Sequence, residues 1–155
     1  SRVYYTHQLK NSNYLDPTQP NFENRILSEL GDPEDEVVFN VDFTINKRYK
    51  LGYGAQYIGP MLTTTYENLY SLQGRPAQNA DVVDIQKYPS VLYHNVRGSF
   101  LIGGDESGTK GLEWFAGIDN VTNKKPPLGS TATGAGSAIY RVMGRTYFTG
   151  FRARF

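Results

Sequence analysis

The chain has 155 residues, a formal net charge of +1 and no cysteine. The balanced charge excludes the basic field that nucleic-acid binding needs, and the lack of thiols excludes a disulfide framework or a thiolate metal site. No run of about 18 apolar residues occurs, which excludes a transmembrane helix but not a membrane barrel, whose strands alternate. Sixteen Gly and twelve Tyr, against one Trp and two Met, favour strands and turns over helices. The length suffices for one domain with a core if it folds alone. Ser1 nevertheless opens straight into strand-like sequence without a signal peptide, which predicts a piece of something longer.

Six segments alternate with a period of two. In residues 2–10, Val3, Tyr5, His7 and Leu9 share one face. A short helix is expected over residues 21–30, where Phe22, Ile26 and Leu30 recur at helical spacing before Gly31 and Pro33. Residues 36–46 are the cleanest strand, with Val37, Phe39, Val41, Phe43 and Ile45 opposite Asn40, Asp42, Thr44 and Asn46. Residues 49–59 set Tyr49, Leu51, Tyr53, Ala55 and Tyr57 against Lys50, Gly52, Gly54 and Gln56. In residues 91–102, Leu92, Val96 and Phe100 oppose Tyr93, Asn95, Arg97 and Ser99, with His94 on the apolar side. Residues 112–120 place Leu112, Trp114, Ala116 and Ile118 opposite Glu113, Gly117 and Asp119. Residues 129–138, rich in Gly, Ser, Thr and Ala, read as the most flexible part.

The last segment, 146–155, carries Tyr147, Thr149, Phe151, Ala153 and Phe155 on one face and Phe148, Gly150, Arg152 and Arg154 on the other. In a soluble protein the first face would be core. In an outer-membrane barrel it would meet lipid, with the arginines in a wet lumen and Tyr147 and Phe155 at the interfacial girdles. An aromatic ending without a polar tail favours the second reading. The connections favour it too, because they alternate long, short, long, short, long, as external loops and periplasmic turns do. The terminal strand then runs inward.

Residues 113–127, Glu-Trp-Phe-Ala-Gly-Ile-Asp-Asn-Val-Thr-Asn-Lys-Lys-Pro-Pro, resemble the penultimate strand and loop of TonB-dependent outer-membrane receptors. The approach Tyr140-Arg141-Val142-Met143-Gly144-Arg145 to the last strand resembles that family's Tyr-x-x-x-Gly-Arg run. Tyr147, Gly150, Phe151, Ala153 and Phe155 resemble the C-terminal insertion signal of outer-membrane barrels, with Phe148 where that signal usually has a polar residue. The resemblance covers residues 113–155. It implies an all-β chain, residues 1–155 being antiparallel strands from the C-terminal part of a 22-stranded barrel, without its plug domain. The implied location is the outer membrane of a Gram-negative cell. The implied role is energised uptake of an external nutrient such as a siderophore or a carbohydrate. The implied partners are the remaining barrel and plug, the TonB complex of the inner membrane, outer-membrane lipids and the barrel-assembly machinery.

No enzyme is expected. His7 and His94 lack partners at metal-ligand spacing, and no nucleophile has a base beside it. Glu113 and Asp119 would stand about 20 Å apart on one strand face, too far for paired-carboxylate catalysis. Asp32, Glu34, Asp35 and Glu36 could hold a hard cation but read more simply as a solvated loop shoulder. Gly52 and Gly54 leave room for lumen side chains. Asn120-Val121-Thr122 fits a glycosylation sequon that a bacterial envelope protein would not ordinarily use. No cofactor or metal is expected. Ligand-contact candidates are Tyr66, Tyr70, Arg75 and Tyr88 on the long loops, since they combine apolar area with polar tips. Arg97, Arg152 and Arg154 are expected to face the lumen, where the resemblance implies pairing with plug carboxylates. Two other readings remain open: a small complete outer-membrane barrel (adhesin or structural protein), which needs at least about eight strands, and a soluble β-sandwich or lipocalin-like binding module, which would bury Val37 to Ile45.

Overall fold

The computed structural model describes the chain apart from Leu15, Pro17, Pro20, Lys47, residues 105–110, Thr133 and Phe155, and apart from the side chains of Ala135, Ser137 and Arg154. It is all-β. Six strands form one antiparallel sheet: β1 (Arg2–His7), β4 (Asp35–Ile45), β5 (Tyr49–Ile58), β8 (Val91–Gly104), β9 (Gly111–Asp119) and β10 (Thr146–Arg154). Neighbours in the sheet are neighbours among these six in sequence, an up-and-down meander. Two small hairpins sit in the long connections, β2 (Ser12–Tyr14) with β3 (Glu23–Arg25) and β6 (Met61–Leu62) with β7 (Lys87–Tyr88). Two short helices, α1 (Tyr66–Leu69) and α2 (Gly134–Ile139), complete the loops.

The expected strands are present, with small changes at their ends. The first stops at His7 rather than residue 10, and the fourth runs on to Gly104 past a bulge at Ile102. The long connections all leave one end of the sheet, because His7 pairs with Asp35, Ile58 with Val91 and Asp119 with Thr146. The turn from β4 to β5 lies at the opposite end and passes through Asn46 at φ 52°. The connection over residues 105–110 lies outside the described residues.

The helix expected over residues 21–30 does not form. Those residues instead supply β3, and amides that a helix would have satisfied internally find outside acceptors. Glu23 N–H donates to Gln73 Oε1 at 3.0 Å and Arg25 N–H to Glu67 Oε1 at 2.6 Å, while Ile26 and Leu27 N–H donate to Asn11 O. Leu27, not Phe22, is the buried residue here.

The chain's core lies where the loops cover the polar side of the sheet, not on the apolar sheet face. Ile58, Met61, Val91, Tyr93 and Tyr140 are buried together, with Leu30 and Ile139 against them. Ile58, Val91 and Tyr93 belong to the same sheet face as Gln56, Asn95 and Arg97, so the loops fold over the polar side of the sheet at its long-loop end. Within residues 129–138, Ser130 and Gly136 are buried, while Gly129, Thr131, Ala132, Gly134 and Ala138 are exposed. Ser130 Oγ donates to Pro127 O at 2.7 Å, and a Cβ on Gly136 would run into the Ser130 carbonyl. Small side chains are needed there because α2 lies directly on that backbone.

Candidate functional site

The register aligns like residues across the strands and so gives the sheet two unlike faces. One face carries Tyr5, Val37, Val41, Phe43, Ile45, Tyr49, Leu51, Leu92, Trp114, Tyr147 and Phe151, and none of these side chains is buried. Phe43 is 54% exposed and Phe151 66%. Two polar tips on this face are satisfied within it. Trp114 Nε1 donates to Thr149 Oγ1 at 2.9 Å, and the Tyr53 hydroxyl lies 2.6 Å from His94 Nδ1. His94 therefore has a partner on the apolar side.

The other face is polar and studded with glycine. Asp42, Gly52 and Arg97 are directly in register, and Arg97 Nη2 reaches Asp42 Oδ1 at 2.7 Å across the glycine. A Cβ at Gly52 would lie 2.6 Å from Arg97 Nε and 2.8 Å from Asp42 Oδ1. The bridge therefore needs glycine on the intervening strand. Arg152 stands opposite Glu113 with Nη1 3.5 Å from Oε2, and Ser99 Oγ donates to Glu113 Oε1 at 2.7 Å. Arg97 and Arg152 thus have carboxylates of this chain beside them, not only those expected from a plug. Arg154 ends β10, and its side chain lies outside the described part of the chain. Two aromatic rings lie over glycines on this face, Phe148 over Gly117 and Phe115 over Gly150.

At the long-loop end the candidate ligand residues fall in two places. Tyr66 and Tyr70 pack with ring centroids 5.0 Å apart, and the Arg25 guanidinium lies 4.6 Å over the Tyr66 ring. Arg75 is committed internally, donating to Glu23 O and Leu72 O and covering the Phe22 ring at 4.5 Å. Tyr88, on β7, lines a 610 Å³ groove with Val82, Ile85, Lys87, Pro127 and Leu128. Ile85 and Leu128 in that groove are 72% and 98% exposed.

The acidic shoulder does not converge on a cation. Asp32 accepts from Asn11, Glu34 from Ser28, Asp35 from Tyr5, and Glu36 from Gln56. No metal-holding group of three His, Asp or Glu occurs among the described residues. Burial raises the Glu29 pKa, although its Oε1 accepts the Tyr66 N–H at 2.7 Å. Lys10 and Tyr14 at its carboxylate lower that of Glu23.

The Asn-rich turn after β9 and the segment before β10 form a latch. Asn120 is buried, its Nδ2 donates to Lys124 O, and its Oδ1 accepts the Lys124 N–H, both at 2.8 Å. Beside it, Arg141 stacks 5.3 Å over the Tyr93 ring, donates through Nη1 to Asn95 Oδ1 at 2.9 Å and through Nη2 to Gln56 Oε1 at 3.3 Å. The sequence alone gives Arg141 no such role. Its place on the polar face depends on a loop of some twenty residues returning to the sheet, which no strand periodicity encodes.

No protein-family model matches the chain, no curated protein matches it, and no solved structure matches it. No helix among the described residues is long and apolar enough to cross a membrane, which says nothing about crossing by strands.

Proposed function

We propose that the chain is the C-terminal part of a TonB-dependent receptor barrel in a Gram-negative outer membrane, with the apolar face toward lipid and the polar face toward the lumen. The observation that carries this reading is the large apolar face left open on one side of the sheet. A water-soluble sheet covers such a face with a second layer, and nothing among the described residues packs over it. The internally paired Trp114 and Tyr53 tips suit a medium without water, where an unpaired donor is costly. The edge strands β1 and β10 each have one neighbour, as expected of a wall continued by further strands.

In this reading an external ligand meets the long loops and a plug, and energy relayed from the inner membrane opens a path along the polar face. The groove at Tyr88 and the Tyr66–Tyr70 pair are the first places for ligand contact. This segment supplies wall, loops and insertion signal.

The test is fractionation of cells that make the natural protein carrying this sequence. The expected result is recovery in the outer membrane, release only by detergent, and a mass several times that of 155 residues. A detergent-independent soluble monomer would favour the binding-module alternative and overturn the proposal.

A further inference from the structure

Arg141 is the most purposefully held cation on the polar face. Its two hydrogen-bonded guanidinium nitrogens end on neutral amide oxygens, those of Asn95 and Gln56, and its plane lies over Tyr93. Its backbone N–H also donates to the Tyr93 hydroxyl at 3.2 Å. These contacts fix the orientation without supplying countercharge. The acidic residues of that face do not bond Arg141 directly. Asp42 and Glu113 stand beside Arg97 and Arg152, Glu36 accepts from Gln56, and Asp119 lines a 180 Å³ cleft with Asn95 and Arg97. No carboxylate lies within ion-pair distance of Arg141 among the described residues. Arg141 is half-buried, neither sealed off nor fully solvated.

A guanidinium whose orientation is set in advance, and which pairs with no carboxylate among the described residues, is suited to take an oxyanion in bidentate fashion. Its position beneath the loop core of Ile58, Val91, Tyr93 and Tyr140 puts it at the long-loop end of the polar face. The Tyr140 phenol, pushed up to about 12 by burial, adds no negative charge there near neutral pH.

We propose that Arg141 is an anion-binding residue at the mouth of the lumen, taking a carboxylate or phosphate group of a small-molecule ligand. This rests on the receptor reading, which makes the polar face a lumen, and it narrows the ligand to one bearing such a group. A plug carboxylate is the competing occupant.

The test is isothermal titration of the whole detergent-solubilised receptor with citrate and, separately, with inorganic phosphate. The wild-type protein, Arg141→Gln, Arg141→Lys and the charge-matched control Arg145→Gln are compared. Resistance of the barrel to unboiled dodecyl sulfate confirms that each variant is folded. Expected is binding of at least one anion, weakened about tenfold or more in Arg141→Gln, partly retained in Arg141→Lys, and unchanged in Arg145→Gln. Equal affinity in wild type and Arg141→Gln, or no binding of either anion to folded wild-type protein, would overturn the assignment. Increased proteolysis of the plug in Arg141→Gln with unaltered anion affinity would overturn it in favour of the plug carboxylate. Failure of the receptor reading would appear earlier and separately, as a protein that needs no detergent.

Discussion

The Arg145 backbone N–H donates to Asn123 Oδ1 at 3.0 Å, tying the start of β10 to the turn that leaves β9. Asn123 adopts φ 53° and Gly144 φ 69°, both in the left-handed region. A Cβ on Gly144 would also lie 2.9 Å from the same Asn123 oxygen. Replacing Asn123 with Ala should destabilise the hairpin by about 1–2 kcal/mol through the lost acceptor and the strained φ. Asn120→Ala should cost more, about 2–3 kcal/mol, because that side chain is fully buried and makes two bonds to Lys124. Shifts in the urea midpoint of the folded protein measure both. Midpoints unchanged from wild type would mean that these contacts do not latch the hairpin.

Two glycines of α2 predict opposite outcomes. Gly136→Ala drives a methyl into the Ser130 carbonyl, which is backbone and cannot swing aside, so a loss of about 3 kcal/mol is expected. A methyl added at Gly134 would meet nothing within 4 Å. Gly134→Ala should therefore gain up to about 1 kcal/mol from helix propensity. Thermal unfolding of the pair decides whether Gly136 is packed against Ser130; equal effects would mean that it is not.

Tyr140 predicts an alkaline transition in the loops. Its pKa rises from 10.0 to about 12, chiefly by desolvation, with Tyr93 and Tyr88 adding to the rise. The folded state binds the phenolic proton more tightly than the unfolded state does. Its contribution to stability is therefore complete below pH 10.0 and is lost as pH climbs toward 12. Phenolate absorbance of wild type minus Tyr140→Phe should show a late-titrating group, and the substitution should blunt the loss of loop protection in that window. A difference spectrum titrating near 10.0 would mean that Tyr140 is solvated.

Phe43→Lys separates a lipid-facing wall from a wet one. Phe43 is 54% exposed, so in water the substitution should stay within about 0.5 kcal/mol of wild type. Facing hydrocarbon near mid-bilayer, it should cost about 2–4 kcal/mol. Unfolding titrations in phospholipid vesicles read the difference.

The six strands are legible in the sequence because alternation survives in every one, and a period of two needs no tertiary information. The loops are not. Phe22, Ile26 and Leu30 have helical spacing by coincidence, and acceptors from distant Gln73 and Glu67 hold the Glu23 and Arg25 amides in another arrangement. The close approach of Gly136 to the Ser130 carbonyl is not legible either, because composition cannot distinguish glycine that frees a backbone from glycine that admits a close neighbour. Among the site residues, Arg97 and Arg152 lie on the expected face, but their Asp42 and Glu113 partners follow only from the register. Of the residues that resemble an insertion signal, Tyr147, Gly150, Phe151 and Ala153 lie on β10, while Phe155 is outside the described residues. The four tyrosine and arginine loop candidates rest on side-chain type alone. Arg75 is in fact engaged in holding the loop, and Tyr88 lines a groove that Tyr66 and Tyr70 do not.

Phe148 over Gly117 and Phe115 over Gly150 work as a two-toothed key between β9 and β10. Sliding β10 by two residues either way keeps every side chain on its proper face, so alternation alone would not reject the slip. The slip would, however, carry each ring from its glycine onto a neighbouring side chain, and both teeth would jam together. β10 can therefore check its own alignment as it zips against β9. Phe148, the residue that departs from the usual terminal pattern, is one of the teeth.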